Sequence, residues 1–180
     1  KHDPSKQEAR LIYGSALLRD GQQSAAVDQF EEIIRTRQNS SDSSSKQQGA
    51  LLTLFLLVAK QIQQESDSQI ADQALQELVK RFNQDPNVWY TASWYYGSSG
   101  RFEQALKAIE QGLQLQPGWE QAILFKAELL NSSGAHQKLL GFLRNQVQKF
   151  PQNSEVILRY AQIQLSQGND SEAIKLFRQV

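Results

Sequence analysis

Residues 86–119, PNVWYTASWYYGSSGRFEQALKAIEQGLQLQPGW, consist of an aromatic-rich half and an amphipathic half. Apolar residues in the second half recur at helical spacing, as at Leu106 and Ile109, which predicts a helix there. Gly100 lies between the halves, where a chain that turns back antiparallel needs a positive φ. Pro117 ends the second helix, because proline cannot continue one. The stretch therefore predicts a helical hairpin.

The hairpin is one copy of a pattern that recurs along the chain. Gly100, Gly134 and Gly168 are evenly spaced, and Pro117 and Pro151 keep the same spacing. A fixed period of about 34 residues is typical of a stacked array of helix–turn–helix repeats. A lone helical hairpin cannot cover its apolar face, so neighbouring hairpins must stack.

The repeated pattern resembles the tetratricopeptide repeat. That repeat has a bulky residue, a small residue, a large residue, then Gly, Ala, an aromatic or aliphatic residue, and Pro. In the copy at 86–119 these are Trp89, Ser93, Tyr96, Gly100, Ala105, Ile109 and Pro117. The resemblance implies an all-α fold, a right-handed α-solenoid of stacked antiparallel helix pairs. It also implies a concave wall, built mostly by the first helix of each pair, that binds extended peptides or partner helices.

The same frame predicts how the whole chain is organised. It gives a single array over residues 1–180, with copies at about 7–38, 52–85, 86–119, 120–153 and a truncated copy at 154–180. The insertion at 39–49, NSSDSSSKQQG, is rich in serine and predicts a loop. Because the chain begins with Lys1 rather than Met, it is interpreted as a fragment of a longer protein.

The last copy departs from the pattern at one position. Gln164 stands where the repeat has a large apolar residue.

The aromatic residues of 88–96 have two predicted roles. In the repeat register Trp89 and Tyr96 are expected to pack in the core. Tyr90 and Trp94 are four residues apart, hence on one helical face, and that face points into the groove. The pair either anchors an apolar or proline-containing partner segment or fills a gap against the next helix.

The register places further residues on the groove wall. They are Lys60, Gln63, Leu124, Glu128, Asn131, Leu158 and Gln162. Lys60 and Glu128 have opposite charges, so no uniform charge preference is expected. Aliphatic and aromatic residues among amides predict a moderately apolar partner that is recognised mainly by shape.

Composition and motifs exclude several classes of function. With 19 basic and 19 acidic residues the formal net charge is zero, which disfavours nucleic-acid partners. The chain has no cysteine, and its two histidines, His2 and His136, share no expected site, so neither a metal nor another cofactor is expected. No GxSxG, HExxH or phosphate-binding glycine loop occurs, so the chain is predicted not to be an enzyme. The longest apolar run, residues 50–59, is shorter than the roughly 20 residues that cross a bilayer.

These observations predict a non-catalytic adaptor or scaffold that binds another protein or peptide segment. Residues 116–130, QPGWEQAILFKAELL, and the absence of Met and Cys resemble the tetratricopeptide arrays of Gram-negative cell-envelope lipoproteins. Some of those bring a protease to its cell-wall substrates, which implies a periplasmic adaptor. The alternatives are an oligomerisation segment, whose uncapped stacking surfaces pair with another copy, and a regulatory tail of a larger enzyme. The localisation stays open.

Overall fold

The computed structural model describes residues 4–37 and 68–180, and the secondary structure within these ranges is helical. The predicted loop at 39–49 and residues 52–67 of the copy at 52–85 lie outside the described residues. The all-α class is confirmed for the described part of the chain. Its helices are α1 (Pro4–Arg19), α2 (Gln23–Arg37), α3 (Ser68–Arg81), α4 (Pro86–Ser98), α5 (Phe102–Leu115), α6 (Glu120–Ser132), α7 (His136–Lys149), α8 (Ser154–Ser166) and α9 (Asp170–Phe177).

Glycine turns join the helices within each hairpin. Gly100, Gly134 and Gly168 have φ values of +74°, +72° and +76°, so the predicted positive φ is confirmed. The residue after each glycine donates its backbone N–H to a carbonyl five residues earlier, as Ala135 does to Leu130 at 2.9 Å. This bond is the signature of a Schellman motif, which satisfies a carbonyl left open at the end of a helix. The chain therefore reverses direction in the same way at each turn.

The chain divides into two compact units, Lys1–Ala92 and Ser93–Val180. In the first unit, α1 packs against α2, and both helices contact α3. The fully buried side chains of Phe30 and Leu75 belong to the core of this unit. Arg81 joins α3 to α2, because its guanidinium donates to Asp28 Oδ1 at 2.7 Å and to Ser24 Oγ at 2.8 Å.

In the second unit, consecutive helices from α5 to α9 contact one another, and α6 also contacts α8. Helices with the same place in successive hairpins thus lie side by side. The core of this unit is a cluster of buried residues: Ile123, Ala127, Leu130, Leu139, Leu143, Val156, Ile157, Tyr160, Ala161 and Leu176. Full burial of one such aliphatic side chain stabilises a protein by about 1.5–3 kcal/mol, so this stack supplies much of the stability of the unit.

Gln164, the departure from the repeat pattern, belongs to a buried polar network. Its Nε2 donates to Tyr160 Oη at 2.7 Å, and its Oε1 accepts from Asn169 Nδ2 at 2.8 Å. Tyr160 Oη also accepts from Arg144 Nε at 3.3 Å, and this hydrogen bond raises the pKa of Arg144 above its ordinary value. The amide is tolerated in the core because both of its polar atoms have partners.

The aromatic residues of α4 are placed differently from the prediction. Trp89 and Tyr96 are half-buried rather than fully buried, and Val88, Ala92 and Tyr95 take the buried positions. Trp89 Nε1 donates to the carbonyl oxygen of Asn83 at 2.8 Å. This bond holds the indole N–H at the turn before α4, which keeps part of the ring at the surface.

Candidate partner-binding surface

Predicted groove residues at equivalent positions of successive copies are exposed to a similar degree. Tyr90, Leu124 and Leu158, which occupy the same position in successive copies, are all half-buried. Trp94, Glu128 and Gln162, the residues four positions later, are all exposed, and so is Asn131. Lys60 and Gln63 lie outside the described residues. The agreement between copies indicates that the helices α4, α6 and α8 present equivalent faces.

We use the name "A-helix surface" for the members that belong to the second unit. They are Trp94, Leu124, Glu128, Asn131, Leu158 and Gln162. Tyr90 belongs to the first unit and is treated separately.

A close approach between helices positions Trp94. Gly97 lies one turn after Trp94, and a Cβ atom added at Gly97 would be 2.8 Å from Leu129 Cδ2 of α6. The Leu129 side chain of α6 therefore packs closely against the last turn of α4, where Gly97 has no side chain in the way. Ser93 Oγ, also on α4, donates to the carbonyl oxygen of Ala105 at 2.8 Å. These contacts fix the backbone that carries Trp94.

The A-helix surface has a polar rim and partly buried aliphatic residues. Trp94 is 41% exposed, whereas Leu124 packs in part against the core cluster. The amides of Asn131 and Gln162 and the carboxylate of Glu128 are exposed. Lys126 of α6 is directed elsewhere, because its Nζ lies 2.7 Å from Glu110 Oε1 and 4.8 Å from the centre of the Phe142 ring. Apolar contact and hydrogen bonding are thus both available to a partner.

The sequence-based prediction missed one residue of this surface. Leu165 is 51% exposed and follows Asn131 by one repeat period. The period that identified Asn131 therefore also points to Leu165, which adds an exposed aliphatic side chain near the end of α8.

Two depressions in the second unit lie away from these residues. One, of about 490 Å³, is bordered by Leu113 of α5 and by Gly141 and Phe142 of α7. The other, of about 750 Å³, surrounds the turn between α7 and α8, at Phe150 and Pro151. Neither is lined by a residue of the A-helix surface.

Two further features of the described residues bear on function. Among residues 4–37 and 68–180, no group of three or more His, Asp or Glu side chains is arranged to hold a metal ion. None of the helices that the structure describes is long and apolar enough to span a membrane.

Comparisons with protein families identify two segments as tetratricopeptide repeats. Residues 86–118 match one tetratricopeptide repeat model, and residues 155–180 match another. The resemblance inferred from the sequence is therefore supported in these segments. No curated protein matches the chain significantly in sequence.

Solved structures confirm the fold. A crystal structure of MamA is similar with a TM-score of 0.57 and 13% identity, covering 92% of this chain and 91% of that one. PilF of Pseudomonas aeruginosa gives a TM-score of 0.56 and 14% identity, covering 97% of this chain and 75% of that one. MamA from Desulfovibrio magneticus RS-1 gives a TM-score of 0.55 and 13% identity, covering 96% of this chain and 92% of that one. The fold class is thus a tetratricopeptide solenoid, a fold that typically serves as a non-catalytic protein-interaction scaffold.

Proposed function

We propose that this chain is a non-catalytic adaptor or scaffold that binds a partner protein or peptide segment along the A-helix surface. The repeat matches and the solved structures of the same fold support a protein–protein interaction scaffold. We choose this surface because Trp94 is 41% exposed although the helix that bears it is closely packed. Tryptophan is among the residue types that dominate binding energy at interfaces.

The composition of the surface suggests the chemistry of the partner. Leu124 and Leu158 offer apolar contact, while Glu128, Asn131 and Gln162 offer hydrogen-bonding groups beside them. An extended segment or an amphipathic helix presents the same mixture, with apolar side chains next to polar groups. The partner is therefore expected to be a segment of moderate hydrophobicity.

The test of this surface is the substitution Trp94→Ala. Partners recovered from native extract with the wild-type chain are purified and titrated against both forms by calorimetry. Loss of a central aromatic contact is expected to weaken the affinity at least about tenfold. Leu115→Ala is the matched control, because Leu115 is 40% exposed but lies at the end of α5. Equal affinities for wild type and Trp94→Ala would contradict the proposal.

Tyr90 is tested separately, because it has two predicted roles. If Tyr90 anchors a partner, Tyr90→Ala lowers the affinity and leaves the thermal midpoint nearly unchanged. If Tyr90 fills a gap against a neighbouring helix, the substitution lowers the thermal midpoint by removing packed surface. Calorimetry and thermal unfolding of the same variant distinguish the two roles.

A finer proposal concerns the location. We propose that the parent protein is an adaptor in a Gram-negative cell envelope that brings a protease to its substrate. Its support is the resemblance carried by residues 116–130 and the absence of Met and Cys. Fractionation of cells that express the tagged parent protein tests the location, and co-purification with a protease tests the role. Recovery in the cytoplasmic fraction would contradict this finer proposal and leave the A-helix surface untouched.

A further inference from the structure

The depression between α5 and α7 has an apolar floor that is only partly covered. Leu113, Phe142 and Phe150 line it, and all three side chains are half-buried and pack in part against the core cluster. Its volume of about 490 Å³ is within the range of ligand-binding pockets. We use the name "α5–α7 cleft" for this depression. Its floor offers contact to an apolar group of a binding partner.

Gly141 lies in the middle of α7 and keeps the α5–α7 cleft open. It lines the cleft, and a Cβ atom added there would meet no atom within 4 Å, so packing within the described chain does not require glycine. Glycine inside a helix is less favourable than alanine. Because a side chain at this position would take up space in the cleft, the glycine is explained if another chain approaches α7 here.

Three side-chain amides at the α5–α7 cleft form no hydrogen bond with the described residues. They belong to Gln114, Asn145 and Gln146. Each amide has both donors and an acceptor. An extended peptide has backbone N–H and C=O groups that need such partners, whereas most backbone groups of a helix are already paired. The amides therefore favour an extended segment over a helix.

The charges at the α5–α7 cleft favour an acidic group in this segment. Glu110 is neutralised by Lys126, whose Nζ lies 2.7 Å from Glu110 Oε1. Lys149 also lines the cleft, is exposed, and forms no ion pair with any residue that the structure describes. A carboxylate of a partner can therefore pair with Lys149. An exposed pair of this kind contributes mainly to specificity.

The α5–α7 cleft shares a border with the second depression, at the turn between α7 and α8. Lys149 and Phe150 line both. The ring of Phe150 lies close to the turn after α5, because a Cβ atom added at Gly118 would be 3.3 Å from Phe150 Cε1. Two depressions with a common border suit an elongated ligand. Glu120 and Glu155 line only the second depression, so a carboxylate is favoured on the cleft side of Lys149.

We propose that the α5–α7 cleft binds an extended segment of a partner protein that carries a large apolar residue close to an acidic residue. The apolar side chain packs on Leu113, Phe142 and Phe150. The backbone of the segment bonds to the three amides, and its carboxylate pairs with Lys149. This contact surface is separate from the A-helix surface, so the failure of one proposal leaves the other standing.

A phage-displayed library of random peptides of about 12 residues, about 40 Å long when extended, tests the proposal. The library is selected on the wild-type chain, and each enriched peptide is synthesised and titrated by fluorescence anisotropy. Enriched peptides are expected to carry a large apolar residue within about three positions of Asp or Glu.

The variant that fills the α5–α7 cleft is Gly141→Leu. It is expected to weaken the affinity of these peptides at least about tenfold, because the added side chain occupies their place. Gln148→Leu is the matched control, since Gln148 is exposed on the same helix but lines neither depression. The control is expected to bind the peptides like the wild type.

A charge reversal tests the acidic group. Lys149→Glu is expected to weaken the affinity at least about threefold. Replacement of the acidic residue of the peptide by lysine should restore the affinity for Lys149→Glu and lower it for the wild type.

Thermal unfolding checks that the variants are folded. Gly141→Leu is expected to keep the midpoint of the wild type, because Gly141 is exposed and its surroundings are open. If the midpoint falls, the charge reversal decides the test, because Lys149 is exposed.

Three results would overturn the proposal. The first is a selection that enriches no peptide. The second is a set of enriched peptides that all bind Gly141→Leu as tightly as the wild type, and weaker binding of the same peptides to Trp94→Ala would place them on the A-helix surface. The third is a set of peptides that require Gly141 but bind Lys149→Glu as tightly as the wild type, which would exclude the acidic group.

Discussion

At the scale of single residues, Gly14 and Gly141 have opposite surroundings although both lie inside helices. Gly14 is buried in α1, and a Cβ atom there would be 2.5 Å from Cε1 of Phe30, whose side chain is fully buried. Gly141 is exposed on α7, and a Cβ atom there would meet no atom within 4 Å. The first glycine is required by packing, and the second is not.

The same substitution is therefore expected to have opposite effects at these two positions. Gly14→Ala should lower the free energy of unfolding by about 1–3 kcal/mol, because the added methyl group overpacks the contact with Phe30. Gly141→Ala should raise it by about 0.5–1 kcal/mol, because alanine is the better helix former. Urea unfolding measures both, and a Gly14→Ala variant at least as stable as the wild type would contradict the packing described for Gly14.

The buried amide of Gln164 leads to a second prediction. Gln164→Leu restores the apolar residue of the repeat pattern but removes a hydrogen-bond partner from both Tyr160 and Asn169. The free energy of unfolding is expected to fall by about 1–3 kcal/mol, because two hydrogen bonds that each contribute about 0.5–1.5 kcal/mol are lost. Gln162→Leu is the control, because Gln162 is exposed on the same helix. If Gln164→Leu is as stable as the wild type, the network does not contribute to stability.

At the scale of helices and turns, Gly134 lies in the turn that connects the two helices of its hairpin. Gly134→Ala is expected to destabilise the chain by about 1–2 kcal/mol, because an L-residue with a side chain is strained at φ +72°. Gly134→Asn should cost less, since asparagine tolerates this conformation better. The midpoint of thermal unfolding should be highest for the wild type, lower for Gly134→Asn and lowest for Gly134→Ala. Ser132→Ala is a neighbouring control outside the turn. Equal midpoints for Ala and Asn would contradict the backbone argument.

The sequence was sufficient to predict the turns but not the buried face of α4. Glycine at a fixed spacing marks a turn directly, because few other residues adopt a positive φ. The aromatic and aliphatic residues of α4 lie on most sides of the helix, so their pattern does not predict which side is buried. They are Val88, Trp89, Tyr90, Tyr95 and Tyr96. The stripe that is buried, at 88, 92 and 95, is chosen by packing against neighbouring helices.

At the scale of the whole molecule, the balance of charge leads to a prediction about binding. Phosphate backbones are bound largely through excess positive charge, and this chain has none. Fluorescence anisotropy with a labelled single-stranded RNA at low salt is expected to show a dissociation constant weaker than about 10⁻⁴ M. Saturable binding at micromolar concentration would show that local charge outweighs the net balance.

The candidate surface could be predicted in part. The register gave the exposed positions Trp94, Glu128 and Gln162, because equivalent positions of a repeat have equivalent neighbours. The exposure of Leu165 follows from the same rule. Its aliphatic character does not, because the equivalent residue of the preceding copy, Asn131, is an amide. The chemistry of the partner does not follow from the register, since it depends on side chains that vary from copy to copy.

The regular spacing of the stacking positions has a consequence for how such a chain changes in length. Leu106 and Ile109 of α5 precede Leu140 and Leu143 of α7 by one repeat period, and Ile109 and Leu143 are both fully buried. Excision of residues 120–153 would bring α8 onto α5 as it now lies on α7, with every later residue still in frame. Gene duplication or deletion in steps of one period can thus lengthen or shorten the molecule while the interfaces between its helices keep buried aliphatic side chains at the same positions.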